Sequence, residues 1–85
     1  MAKEEKSRIT VEIHNKSYTI VGDESEEHVR LVADLVDQKM NEIHQSNRHL
    51  DTTRLAVLTA VNTMNDYLNL KEDYATLLGS LKKED

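Results

Sequence analysis

Apolar and polar residues alternate near the start of the chain. Ile9, Val11 and Ile13 fall on one side of an extended segment, with Thr10, Glu12 and His14 on the other. Beyond a short break, Tyr18 and Ile20 alternate with Thr19 and Val21. This pattern predicts an antiparallel hairpin over residues 8–21. A two-residue loop at Asn15-Lys16 would set His14 opposite Ser17, Ile13 opposite Tyr18 and Val11 opposite Ile20, so that apolar residues meet on one face. Asn tolerates the left-handed backbone such a turn needs, whereas Lys16 is an unusual second turn residue. No third strand is legible later in the chain, and two strands alone are marginal in water. Something else must cover the apolar face of the ribbon.

The period then changes from two to between three and four. Gly22-Asp23-Glu24-Ser25 reads as a turn into a helix, with Asp23 or Ser25 as N-cap. Val29, Val32, Val36, Met40 and Ile43 form its apolar face, widened by Leu35. Leu31 falls nearly opposite and reads as an isolated exposed Leu or a subunit contact. After the polar run His44–His49, Asp51 supplies a second N-cap, with Leu50 and Leu55 at the two staple positions. From there to the C-terminus there is no Pro and one Gly, Gly79. A helix of this length spans roughly 50 Å, and Gly79 is expected to fray its last turns.

The long helix changes character along its length. Its first half is apolar on several sides, through Leu55, Ala56, Val57, Leu58, Ala60, Val61, Met64, Tyr67 and Leu68. A helix apolar nearly all round requires neighbours all round. Its second half keeps a narrow seam at Tyr67, Leu70, Tyr74, Leu77 and Leu81, alternating steps of three and four, which is the heptad spacing of a coiled coil. Asn62, amid these apolar positions, is either an outward polar residue or a buried one that fixes register. The predicted class is α+β: a small head of a two-stranded antiparallel hairpin plus a helix, followed by a long C-terminal coiled-coil helix. Residues 1–7 are expected to fray, 8–50 to form the head and 51–85 the long helix. The first helix and the apolar start of the second are expected to cover the ribbon, with help from a partner subunit.

Size sharpens that expectation. A chain of 85 residues buries little surface and usually needs staples or partners. Here there is no Cys, Trp or Phe. Neither disulfides nor a thiolate metal site is possible, and association is the remaining route to a sufficient core. The net charge of −5 lacks the basic patch of a nucleic-acid binder. Residues 23–48 alone hold seven acids against three bases, and only the hairpin end is slightly basic. No apolar run approaches the ~18 residues of a membrane span, and MAKEEKSR lacks a signal peptide's hydrophobic stretch. A cytoplasmic location is expected, which makes the sequon Asn15-Lys16-Ser17 a chance match.

Catalytic constellations are not found. The chain has no Cys nucleophile, G-x-S-x-G, HExxH or phosphate-cradling glycine loop. His14, His28, His44 and His49 lack the i,i+4 spacing of metal ligands. The carboxylates lie on amphipathic helices, where they read as solvated faces. Catalysis, a cofactor, a metal and a small-molecule substrate are therefore not expected.

Three stretches in this order carry a resemblance. They are the hairpin I-x-V-x-I-x-x-x-x-Y-x-I, the helix HVRLVADLVDQKM and, most specifically, DTTRLAVLTAVNTMNDYL. Over about residues 9–75 the chain resembles the ZapA family of bacterial cell-division proteins, which associate with the tubulin-like FtsZ ring at mid-cell. The short tail resembles Gram-positive members. The resemblance implies head-and-helix dimers that can pair into tetramers through the coiled coil, with heads that bind FtsZ polymers and cross-link or stabilise protofilaments. It implies FtsZ-facing positions at Lys16, matching a basic residue after the hairpin turn, and at Leu58, matching an apolar position early in the second long helix. Thr53 aligns with an acidic family position and is followed by Arg54, so that charge is not retained. Asn15 replaces a common turn glycine. Oligomerisation falls to Tyr67, Leu70, Tyr74, Leu77 and Leu81. The competing reading is a generic coiled-coil adaptor whose seam captures a helix of an unrelated partner.

Overall fold

A computed structural model describes residues 7–83 of the chain. Alternation yields strands β1 (Ser7–Ile13) and β2 (Lys16–Gly22), an antiparallel ribbon followed by helices α1 (Glu26–Ser46) and α2 (Thr52–Lys83). Apart from Ser7, which opens β1, the stretch expected to fray lies outside the described residues.

The turn sits one residue earlier than expected. His14 (φ 52°) and Asn15 (φ 65°) are its central residues, and Lys16 is the first residue of β2, opposite Ile13. Val11 therefore pairs with Tyr18 and Ile9 with Ile20. A type I′ turn needs positive φ at both central positions, and His enters that region more readily than Lys. Placing His14 there also lets its backbone N–H donate to Asp37 Oδ1 at 2.7 Å. Partners shift by two along the strand, so each side chain keeps its face. On the polar face, the Thr10 and Thr19 hydroxyl oxygens lie 3.2 Å apart.

Helix α1 begins where Ser25, not Asp23, accepts the His28 N–H at 3.1 Å. Glu26 and Glu27 complement the positive end of the helix. It stops at Asn47, whose backbone N–H bonds back to the Ile43 and His44 carbonyls. Val29 and Ala33 pack with Ile9 and Val11 as a buried cluster, with Ile13 and Ile20 at its margin. The face expected around Val32 is rotated: Ala33 is buried while Val32 and Leu35 are exposed. A methyl side chain at 33 lets the helix axis approach β1 closely. The Arg30 guanidinium reaches the Thr10 carbonyl at 3.3 Å, along the same strand.

Helix α2 packs on α1 rather than on the ribbon, contrary to expectation, and Tyr18 of β2 remains 45% exposed. Asp51 caps α2 by accepting the Arg54 N–H at 2.8 Å. One turn on, Leu55 is fully buried. Thr59 is buried too, and its hydroxyl donates to the Leu55 carbonyl at 2.8 Å, so no donor is stranded. Lys39 and Asp66 close the junction at 2.7 Å. The helix continues unbroken through Gly79 to Lys83. Thirty-two residues at ~1.5 Å each give about 48 Å, close to the 52 Å longest dimension of the molecule. Among the described residues six apolar side chains are buried and sixteen large ones are exposed, eleven of these on α2.

Candidate functional site

Two surfaces stand out, the tip of the ribbon and the flank of α2. The tip is held from below by α1. Besides the backbone bond to Asp37, the His14 ring meets His44 edge-on, with centroids 5.7 Å apart. His44 lies in the last turn of α1, and α2 starts six residues after α1 ends. The tip and the first turn of α2 therefore share one end of the head. Lys16 is exposed there, as are Thr53 and Arg54. Leu58, 40% exposed, lines a shallow cleft with Lys39, Ile43 and Asn62. Asn62 is exposed in the single chain. Hydrogen bonding to the Asp66 carboxylate holds the Lys39 ammonium above the usual lysine value. Partial desolvation opposes this, and the charges of Asp66 and Glu42 add to it.

Tyr67, Leu70, Tyr74, Leu77 and Leu81 share one face of α2, and each is more than half exposed. The single chain gives them no cover. The Lys71 ammonium lies over the Tyr67 ring, 5.9 Å from its centroid. The same alternation of steps runs back through Thr63, Ala60 and Ala56, whose small side chains do not mark it in the sequence. With Val36 and Met40 of α1 they line an apolar groove that leads from the head onto the seam. From Leu55 to Asn65 no side chain is charged on any face. Among the described residues, no three His, Cys, Asp or Glu side chains are grouped to hold a metal ion. No helix in that range is long and apolar enough to cross a membrane.

The sequence profile of the family described as Cell division protein ZapA matches residues 9–84. The chain belongs to the ZapA family. A protein named Cell division protein ZapA from Oceanobacillus iheyensis is 74% identical over 85 residues, covering 100% of this chain and 99% of that one. Its namesake from a Geobacillus species is 55% identical over 84 residues, covering 99% and 97%. A solved structure titled as a ZapA mutant dimer from Geobacillus stearothermophilus matches with a TM-score of 0.74 and 49% identity, over 98% of this chain and 96% of that one. Ribbon, short helix and long helix are thus the architecture shared with that ZapA structure. Within the family frame, Lys16, Thr53, Arg54 and Leu58 occupy one end of the head, and the five seam residues occupy the far half of α2.

Proposed function

We propose that this chain is a non-enzymatic cell-division protein that binds FtsZ polymers and cross-links or stabilises protofilaments through its own oligomerisation, in the cytoplasm at the mid-cell ring. The reading divides labour between a head over residues 8–50, which docks, and the helix over 51–85, which joins copies. Family membership supports the division role, and the dimer named in the related structure's title supports self-association. The observation that carries the reading is the exposed seam. Five large side chains at heptad spacing, each more than half wet, are stable only against a second helix. The seam has the same spacing on every copy, which favours self-pairing into dimers and onward into tetramers.

At the other end, Lys16 offers a cation on an otherwise acidic chain, with Thr53, Arg54 and Leu58 completing a mixed polar and apolar docking surface. The family resemblance makes its partner the acidic FtsZ polymer. No chemistry is required of such a protein. Two weak docking ends held by a stiff connection of about 48 Å gain avidity wherever filaments lie at matching spacing. Co-sedimentation with polymerised FtsZ, together with light scattering, tests this. Binding at micromolar concentration with a rise in scattering is expected, and absence of both would overturn the reading.

A further inference from the structure

The polar contacts between α1 and β1 are placed to fix where the ribbon turns. Arg30 donates to the Thr10 carbonyl at 3.3 Å, and Asp37 accepts the His14 N–H at 2.7 Å. From Arg30 to Asp37 the helix makes two turns and advances about 10.5 Å; from Thr10 to His14 the strand advances about 13.5 Å. Both contacts therefore lie on one side of a helix that runs along the strand, with Asp37 at the tip. A two-residue hairpin leaves the N–H of its first turn residue outside the ladder, and that donor needs another acceptor. With the turn at His14-Asn15 the donor is His14, and Asp37 takes it. With the turn at Asn15-Lys16, His14 would close the ladder opposite Ser17, whose carbonyl would take the same N–H. Asp37 would then stand half-buried with nothing from the turn to accept. The His14 ring does not supply an equivalent hold. It meets His44 edge-on, and its Nδ1 is buried with no hydrogen-bond partner. The polar grip on the tip is the backbone bond to Asp37.

Register decides what kind of residue Lys16 is. In the observed pairing it opens β2 opposite Ile13, on the face of the ribbon that packs toward α1. With the turn one residue later, Lys16 would be a turn residue in left-handed backbone, beyond the last pair of the ladder. We infer that Asp37 is a positioning residue for docking: its hydrogen bond to the His14 N–H selects the register that sets Lys16 into β2 and holds the tip against α1. The inference rests on the docking role put forward in the proposed function, and it adds a residue that acts through the backbone of His14 rather than by touching the partner.

Two substitutions separate the bond from the charge. Asp37→Asn keeps an oxygen acceptor in place, whereas Asp37→Ala removes it. In amide hydrogen exchange followed by NMR on the full chain, the His14 N–H should be protected in the unaltered protein and in Asp37→Asn. Asp37→Ala should raise its exchange rate by about tenfold or more. Amide-to-amide contacts between Ile13 and Lys16 should give way in part to contacts between His14 and Ser17 in Asp37→Ala alone. In co-sedimentation with FtsZ polymers, the apparent Kd of Asp37→Ala should rise by about threefold or more, because the docking register loses population. Asp37→Asn should stay within about twofold of the unaltered protein, and the sedimentation mass of both should not change. Unchanged binding by Asp37→Ala overturns the inference. Equal weakening by Asp37→Asn does so too, since the carboxylate charge would then be the contact, as does a loss of mass, which would make Asp37 a support of the whole fold. Should Asp37→Ala fail to fold, a His14 amide in the unaltered protein that exchanges as fast as that of Asn15 overturns the inference. A protected one, with Asp37→Asn binding as the unaltered protein does, sustains it. Failure of the unaltered protein to bind FtsZ overturns the proposed function instead, and the exchange and register measurements still decide the hold of Asp37 on the turn.

Discussion

Leu70 is the seam residue with the most to lose, being 67% exposed in the single chain. Fully burying a Leu contributes about 1.5–3 kcal/mol, so covering the exposed two-thirds yields about 1–2 kcal/mol per copy. A symmetric pair counts the position twice, about 2–4 kcal/mol before any other effect. Leu70→Glu removes this and sets two carboxylates close together across the seam. With a factor of ten for each 1.4 kcal/mol, the dissociation constant should rise by roughly 30- to 1,000-fold. Sedimentation equilibrium reads that shift directly. Thermal melts provide a second readout, because a protein stabilised by association melts higher as concentration rises. Leu70→Glu should weaken that dependence, and Leu77→Glu, also on the seam, should do likewise. Unchanged mass, together with an unchanged slope of melting temperature against concentration, would remove the coiled-coil assignment.

Other substitutions probe the head and its junction with α2. Lys16→Glu should lower the amount of protein that co-sediments with FtsZ polymers while leaving sedimentation mass intact; equal recovery would rule Lys16 out as a contact. Asn15 sits at φ 65°, so Asn15→Ala should cost about 1 kcal/mol, and Asn15→Gly should be neutral or better, both read as urea midpoints. Lys39 has a raised pKa, so its pairing with Asp66 contributes stability fully below the ordinary lysine value of 10.5 and loses it as pH climbs past the raised folded value. Melting temperatures at pH 9 and 11 should therefore fall further for the unaltered protein than for Asp66→Asn, in which the partner charge is absent.

Much of this architecture was legible in the sequence because its signals are local and periodic. Alternation at Ile9, Val11 and Ile13 found the ribbon, Asp51 found the start of α2, and the start of α1 was narrowed to Asp23 or Ser25, of which Ser25 is the cap. Misses arose where contacts between elements decide. Whether the turn falls at His14-Asn15 or Asn15-Lys16 is settled partly by Asp37, twenty-three residues from His14, accepting its N–H. Val32 and Ala33 both fit an apolar face of α1, and the close approach of β1 selects the smaller residue. Steps along α2 gave the seam but not its root. Leu and Tyr mark the spacing by their size, whereas the same spacing passes unmarked through Ala56, Ala60 and Thr63. The proposed docking residues Lys16, Thr53, Arg54 and Leu58 were accessible only through family resemblance, because exposed single residues leave no periodic trace.

The size gradient along that seam follows from the two tasks of α2. Near the head, Val36 and Met40 already stand beside the helix. A second helix arriving there must share the space, which Ala56, Ala60 and Thr63 leave by being small. Beyond Asp66 the chain has no neighbour of its own, and only large side chains such as Tyr67, Leu70 and Tyr74 reach far enough to meet a partner. The same helix thus completes the head at one end, through the fully buried Leu55, and at the other presents the exposed seam proposed to recruit other copies. Loosening the junction at Leu55 would set the seam free to swing relative to the docking tip. Under the proposed function, spacing between docked filaments would depend on that angle as much as on helix length, and the rigidity of the small head would be what lets a helix of about 48 Å act as a ruler.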